Sequence, residues 1–124
     1  MATNTDIDVP QRIEELEMAL ANAVVAVKRP TVSSIDEGDR RFLQVSWVTA
    51  SRADTSLDSR CALTVSFTRE QLSAYTRMPP HARESFRERL ASASLAYFNE
   101  QHSKQEPPDN CSAEYVVPDT LLIH

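Results

Sequence analysis

Glycine is almost absent from this chain. Its 124 residues include a single glycine, Gly38, and seven prolines, whereas average usage would place roughly nine glycines in a chain of this length. Dinucleotide-binding fingerprints need three glycines, and Walker-type phosphate loops and GxSxG nucleophile turns need two. One glycine therefore excludes all three motifs.

Basic charge and long apolar runs are also scarce. The net charge is −5, and Lys28 and Lys104 are the only lysines among the 13 basic residues. Nucleic-acid-binding domains commonly carry a basic excess, because phosphate contacts supply much of their affinity. No apolar run approaches the ~18 residues of a membrane span, and residues 1–10 lack the pattern of a secretory signal. We therefore expect a cytoplasmic protein without a membrane segment, for which nucleic acid is an unfavoured partner.

Cysteine and histidine are few and dispersed. In the reducing compartment expected here, Cys61 and Cys111 are predicted to be free thiols; a disulfide between them is the alternative. The histidines are His81, His102 and His124, and none has the CxxC or HxH spacing of a metal site. We expect neither a bound metal nor a cofactor.

An amphipathic helix is predicted over residues 9–27. Asp8, Pro10 and Gln11 form a capping-box arrangement with proline in the first turn. Apolar residues then follow at spacings of three and four: Ile13, Leu16, Leu20, Val24 and Val27. Residues 1–8 are expected to form a flexible tail, and residues 9–124 a single α+β domain.

Three strands are predicted next, over residues 31–36, 41–50 and 60–68. Gly38 lies in the acidic turn between the first two, where a positive φ is commonly required. The third strand alternates most clearly, with one apolar face: Cys61, Leu63, Val65 and Phe67. Because the connections are short, an antiparallel meander is the expected arrangement.

Helices are predicted again after the strands. Thr68 opens the sequence Thr-Arg-Glu-Gln, a capping box, which predicts a short helix to about Met78. A longer helix is expected over roughly residues 80–103, and residues 113–117 are a candidate last strand. The fold class is therefore α+β, with an N-terminal helix, the meander, a short and a long helix, and a C-terminal strand.

The segment CALTVSFTREQLSAY, residues 61–75, joins the third strand to the start of the short helix. It resembles short uncharacterised bacterial domains of unknown function. The resemblance implies a bacterial, cytoplasmic, stand-alone domain. Because such domains carry no assigned activity, it implies no function.

The long helix carries two apolar stripes on the helical wheel. One consists of Ala82, Phe86, Leu90, Ala93 and Tyr97, and a second, nearly opposite, of Ala91, Leu95 and Phe98. The second stripe needs cover from the first helix or from another molecule. With the apolar C-terminal residues Leu121, Leu122 and Ile123, it forms a candidate partner surface. We therefore predict a small non-enzymatic interaction or regulatory module that forms a homodimer or binds a protein partner.

Two other functions are open from the sequence. The order α-β-β-β-α matches that of double-stranded-RNA-binding domains, and a nucleic-acid-associated module would use the arginines of the helical region: Arg77, Arg83, Arg87 and Arg89. A small enzyme would need a site built from scattered residues such as His81, Tyr75 and Cys61. Neither alternative is supported by a recognisable motif.

Overall fold

A four-stranded sheet, packed against three helices, forms the framework of the protein. The computed structural model describes residues 5–24, 26, 29–50, 59–102 and 110–122. Its elements, in chain order, are α1 (Thr5–Ala23), β1 (Thr31–Asp36), β2 (Arg40–Ala50), β3 (Ser59–Thr68), α2 (Arg69–Thr76), α3 (Pro80–His102) and β4 (Asn110–Val116), followed by a 3-10 turn (Asp119–Leu122).

The sheet is mixed, with the strand order β1-β2-β3-β4. The predicted antiparallel pairing of the first three strands is confirmed, but β4 pairs parallel to β3, so an antiparallel meander alone does not describe the sheet. A parallel neighbour requires a crossover that returns the chain to the end where β3 begins. Here α2 and α3 form that crossover, and the last strand begins at Asn110, before the predicted position.

Helix α1 is displaced towards the N terminus relative to its prediction. It begins at Thr5 and ends at Ala23, with Pro10 in its interior. Residues 5–8 are therefore helical and not part of a flexible tail, and the capping box predicted at Asp8 is wrong because Asp8 lies within the helix. The β-branched residues that follow Ala23 are weaker helix formers than the alanines and leucines before them. The predicted core face is nevertheless correct for Ile13, Leu16 and Leu20, all of which are buried, whereas Val27 lies outside the described residues.

The turn between β1 and β2 uses the single glycine as predicted. Gly38 has a φ of +86° and is the only described residue with positive φ. Glu37 donates its backbone N–H to the carbonyl of Arg40 at 2.9 Å, which closes a two-residue loop with glycine first, as in type II′ hairpins. Asp36 accepts a hydrogen bond from the Gly38 backbone N–H at 2.9 Å. These two hydrogen bonds and the positive φ of Gly38 define the turn.

The buried face of α3 follows a ridge of every fourth residue. The buried residues are Ala82, Phe86, Leu90, Ser94 and Phe98. Such a ridge is inclined to the helix axis, so the buried face drifts around the helix and reaches Phe98, which the helical wheel assigned to the second stripe. The ring of Phe98 packs on Trp47 of β2, with ring centroids 5.1 Å apart.

A disulfide joins Cys61 of β3 to Cys111 of β4, and the prediction of reduced thiols is therefore wrong for this structure. The two residues are direct partners in the parallel register, and their Cα atoms lie 4.5 Å apart, within the range that a disulfide spans. Fifty positions separate them in sequence, so only the crossover could reveal their proximity.

Among the described helices, none is both long enough and apolar enough to cross a bilayer.

Candidate functional site

A cleft of about 740 Å³ lies between the β1–β2 hairpin tip, the start of α1, and α2. We call it the arginine cleft, because four arginines line it, together with apolar, hydroxyl and acidic residues: Val9, Pro10, Asp36, Gly38, Arg40, Arg41, Arg69, Leu72, Ser73, Thr76 and Arg77. Its volume is in the range of ordinary small-molecule sites, about 300–1,000 Å³.

The charge of this lining is opposite to that of the whole chain. Four arginines and one acidic residue, Asp36, line the cleft, whereas the protein carries a net charge of −5. Asp36 forms an ion pair with Arg41 at 3.2 Å, and the Asp36 side chain is itself 60% exposed. One carboxylate cannot neutralise four cations, so the cleft has a positive excess.

The four guanidinium groups differ in how they are held. Arg40 donates two hydrogen bonds to the Ser66 hydroxyl, from Nε at 2.9 Å and from Nη2 at 2.6 Å. Arg69 and Arg77 are exposed, and neither guanidinium group has a hydrogen bond or ion pair with any of the described residues. The cleft therefore combines two fixed arginines, Arg40 and Arg41, with two that are available to a ligand.

Local sequence explains why α2 begins beside the hairpin tip. The capping box predicted at Thr68 is confirmed, since the Thr68 hydroxyl accepts from the Gln71 backbone N–H and the Gln71 side chain accepts from the Thr68 backbone N–H. The Arg69 backbone N–H then donates to the carbonyl of Asp39 at 2.9 Å. This bond joins the first residue of α2 to the hairpin turn and sets the width of the cleft at that end.

A second group of arginines surrounds the Glu15 carboxylate, and we call it the Glu15 cluster. Glu15 forms ion pairs with Arg12, with Arg83 at 3.4 Å and with Arg87 at 3.2 Å. The hydroxyl of Tyr75, a fully buried residue, donates to Glu15 at 2.7 Å and accepts from Arg87 at 2.9 Å. The cluster thus ties α1, α2 and α3 together.

Burial and the charges of the Glu15 cluster shift two pKa values. Burial, followed by the hydrogen bond to the Glu15 carboxylate, raises the pKa of Tyr75 to about 12. Burial alone would lower the pKa of Arg87, but the hydrogen bond to Tyr75 and the nearby Glu15 charge raise it overall. Tyr75 is therefore neutral and Arg87 charged at physiological pH.

The predicted nucleic-acid residues do not form one exposed basic face. Arg83 and Arg87 are held by Glu15, and Arg83 also donates to the Met78 carbonyl at 2.6 Å. Arg89 donates to the Ser85 hydroxyl at 2.8 Å and to the Leu121 carbonyl at 3.1 Å. Of the four, Arg77 alone lines the arginine cleft.

The predicted partner surface is packed largely within the chain. Phe98 is buried, and Leu95, Leu121 and Leu122 are partly buried against the hydrophobic core; Ala91 is also partly buried. Ile123 lies outside the described residues. The cover for the second stripe therefore comes from the protein's own fold, and its members do not form an exposed apolar patch.

The three residues suggested for an enzyme do not form a catalytic site: two are engaged in other bonds, and the third is exposed. Cys61 is in the disulfide, Tyr75 is held by Glu15 and Arg87, and His81 is exposed in the first turn of α3. No group of three His, Cys, Asp or Glu residues that could hold a metal occurs among the described residues; the side chain of His102 and all of His124 lie outside them.

Sequence reasoning missed Arg40, Arg41 and Arg69 as members of a site. Arg40 and Arg41 begin a strand and Arg69 begins a helix, so each looks like an ordinary polar end of an element. The available signal was the position of Arg69, directly after the strand that pairs with the hairpin. Strand pairing brings the end of β3 to the start of β2, since Arg40 is opposite Thr68.

Comparison with known proteins places this chain in a family. Residues 13–115 match the family model described as "Protein of unknown function (DUF3022)". The match runs from α1 into β4 and includes every residue of the arginine cleft except Val9 and Pro10. No curated protein and no solved structure matches the chain. The resemblance to uncharacterised domains is thereby confirmed, and the chain belongs to the DUF3022 family.

Proposed function

We propose that this protein is a non-enzymatic binding module that takes a phosphorylated small molecule in the arginine cleft. The observation that carries the proposal is the pair Arg69 and Arg77, two exposed guanidinium groups without a partner among the described residues, in a cleft that Arg40 and Arg41 also line. Guanidinium groups bind phosphate and carboxylate oxygens through paired N–H donors. A positive cleft on an acidic protein favours such an anion.

The rest of the lining supports a small molecule with an apolar part. Val9, Pro10 and Leu72 provide apolar wall, and Ser73 and Thr76 provide hydroxyl groups. Small-molecule sites commonly combine apolar walls with a few placed polar groups. An anion that carries an apolar or planar group would use both kinds of surface.

The absence of a general base in the described lining supports binding over catalysis. Asp36 is the one carboxylate of the cleft, and its oxygens are engaged by Arg41 and the Gly38 backbone N–H. A general base must be free to take a proton from the reacting group. Ser73 and Thr76 have no such base beside them in the lining.

The test is to titrate the full chain with four probes: inorganic phosphate, pyrophosphate, adenosine diphosphate and citrate. Calorimetry measures the affinity for each probe, and NMR identifies the residues whose signals shift. We expect the two diphosphates to bind best, with shifts at Arg69, Ser73 and Arg77, and binding to weaken with added salt, which screens exposed charges. Tighter binding of citrate would make the ligand a polycarboxylate. No shift with any probe would overturn the proposal.

A matched set of variants assigns the site. The double change Arg69→Gln and Arg77→Gln should lower the affinity for the best probe at least about tenfold, since hydrogen bonds to charged groups are worth about 1.5–3 kcal/mol. Arg29→Gln is the control, because Arg29 is also exposed but is not part of the cleft. Arg69→Gln alone, Arg77→Gln alone and Arg29→Gln each remove one positive charge, so a loss in the control equal to that of either single change would show that only net charge matters.

Two predictions from the sequence stay open beside this proposal. Nucleic-acid binding can be tested in the same titration with a short RNA duplex. The cytoplasmic location also stays a prediction, and the Cys61–Cys111 disulfide is a bond more common in oxidising compartments.

A further inference from the structure

Two of the three polar residues that are buried in the described chain are bonded to the walls of the arginine cleft. Ser66 accepts both side-chain hydrogen bonds of Arg40, and Gln71 belongs to the capping box that begins α2. The third, Ser94, donates only to carbonyl groups of its own helix, α3. Because a buried polar group needs partners, the bonds of Ser66 and Gln71 identify the parts of the chain that support the cleft.

The side-chain amide of Gln71 uses its donors and its acceptor in three directions. Its Nε2 donates to the Val117 carbonyl at 2.7 Å and to the Asp119 carboxylate at 2.8 Å, and its Oε1 accepts from the Thr68 backbone N–H at 2.9 Å. These partners fix the orientation of the amide, because a flipped amide would set its N–H groups against the Thr68 N–H. Gln71 therefore joins the start of α2 to the segment that follows β4.

The capping box alone does not require glutamine at this position. Capping boxes use glutamate or glutamine, and a glutamate would also accept from the Thr68 N–H. A carboxylate has no donor, however, and at residue 71 it would face the Val117 carbonyl and the Asp119 carboxylate. The amide of Gln71 therefore has a second role, which is to hold residues 117–119. We call these residues the brace.

The brace supports both arginine-bearing walls of the cleft. The backbone N–H of Val117 donates to the Ser66 carbonyl at 3.0 Å, and its carbonyl accepts from Gln71. The Ser66 hydroxyl holds Arg40, and Gln71 lies two positions after Arg69. Arg40 on the hairpin side and Arg69 on the helix side are thus each connected to the brace through one buried polar residue.

Helix α2 depends on such contacts because it is short. It has eight residues, and isolated helices of fewer than about 12–15 residues are marginal in water. Arg69, Ser73 and Thr76 of this helix line the arginine cleft. The bonds that fix the start of α2 therefore also fix where these side chains stand relative to Arg40 and Arg41.

We infer that Gln71 is a positioning residue of the arginine cleft, whose bonds to the brace hold Arg69 in place to bind an anion together with Arg40 and Arg41. This inference rests on the anion binding proposed above. Gln71 is 4% exposed and is not part of the cleft lining, so it acts through α2 and not by contact with the ligand. Binding sites need such support, because charged donors are effective only when they are held in the productive geometry.

The first test is calorimetry of pyrophosphate binding to the full chain with Gln71→Met, a neutral change of similar size. We expect the affinity to fall about fivefold, less than for the loss of Arg69 and Arg77 together, because both guanidinium groups remain present. Leu90→Ala is the control, because it removes fully buried volume and so destabilises the fold but does not alter the cleft. Circular dichroism checks that each variant is folded, and an equal loss with Leu90→Ala would overturn the inference.

A matched pair at Asp119 separates positioning from charge. Asp119→Ala and Asp119→Asn remove the same negative charge, but asparagine keeps a side-chain oxygen that can accept from Gln71. Charge alone would raise the affinity for pyrophosphate equally in both variants. We expect Asp119→Ala to bind at least about twofold more weakly than Asp119→Asn, because it lacks one hydrogen bond of the brace.

Hydrogen exchange of the Arg69 backbone N–H tests the brace without a ligand. This group donates to the Asp39 carbonyl, and we expect it to exchange faster in Gln71→Met than in wild type, relative to the amides of β3. If wild type binds pyrophosphate but Gln71→Met binds it equally well, or the two Asp119 variants bind alike, this inference is overturned and the proposed function is not. If wild type binds none of the four probes, the proposed function fails, and an unchanged Arg69 exchange rate would also overturn the role of Gln71 in holding α2.

Discussion

The Glu15 cluster and the arginine cleft use the same side chain in opposite ways. In the cluster, Arg83 and Arg87 converge on a carboxylate that is 29% exposed, and a buried tyrosine completes the network. In the cleft, Arg69 and Arg77 are exposed and have no partner among the described residues. The arginines of the first group form ion pairs and hydrogen bonds that join three helices, whereas Arg69 and Arg77 are not paired with any of the described residues. An arginine's neighbours in space, rather than its neighbours in sequence, decide between these roles.

The largest change we predict lies outside both groups and provides a reference for them. Replacing Cys61 and Cys111 together by alanine should lower the free energy of unfolding by about 4 kcal/mol, because the disulfide closes a loop of about 50 residues and restricts the unfolded chain. Urea unfolding measures the loss. Ligand affinity in the arginine cleft should stay unchanged under conditions where the variant is folded. A loss below about 1 kcal/mol would show that strand pairing alone holds β4.

Alkaline pH should weaken the Glu15 cluster specifically. The pKa of Tyr75 is raised to about 12 in the folded protein, whereas an unfolded tyrosine titrates near 10. The unfolded chain therefore loses this proton first, so the stabilisation is complete below pH 10 and is lost as pH rises towards 12. The expected loss from this group is about 2 to 3 kcal/mol.

The measurement is urea unfolding of wild type and Tyr75→Phe at several pH values. The difference between their free energies should shrink from pH 10 to pH 12, because groups common to both proteins cancel. A constant difference over this interval would contradict the raised pKa of Tyr75, to which burial contributes most and the hydrogen bond to Glu15 next.

A pair of matched carboxylate changes compares the two regions directly. Glu15→Gln should lower the free energy of unfolding by about 2 kcal/mol, less than the ~3–5 kcal/mol for a fully buried pair, because Glu15 is partly exposed and solvent screens its charge. Asp36→Asn in the cleft should change it by less than about 0.5 kcal/mol, since an exposed ion pair is worth little. Thermal and urea unfolding both report the contrast, and equal effects would contradict it.

Several local features of the fold could be predicted from the sequence, although the start of α1 was predicted wrongly; the long-range contacts could not be predicted. The capping box at Thr68 and the positive φ of Gly38 depend on a few adjacent residues, and both were predicted correctly. The parallel pairing of β4 depends on the return of α3 across the sheet, and the Cys61–Cys111 bond depends on that pairing. Neither has a signature within a short window of sequence.

The arginine cleft was beyond prediction for the same reason. Its residues come from α1, the β1–β2 hairpin and α2, and they converge only when the end of β3 is paired with the start of β2. Phe98 illustrates a different limit. A helical wheel assumes a buried face parallel to the axis, whereas α3 buries an inclined ridge, so the wheel assigned an interior ring to a partner surface.

The smallest predicted effect distinguishes the two groups of arginines most sharply. Arg69→Gln and Arg77→Gln should each change the free energy of unfolding by less than about 0.5 kcal/mol, as exposed surface changes do. Arg83→Gln should cost about 1 to 2 kcal/mol, because it removes a partner of Glu15 and the hydrogen bond to the Met78 carbonyl. If Arg69 or Arg77 proves as costly as Arg83, the arginine cleft is a structural network like the Glu15 cluster. If both changes leave the free energy of unfolding unaltered but lower the affinity for the anion, Arg69 and Arg77 carry charge that the fold itself does not need.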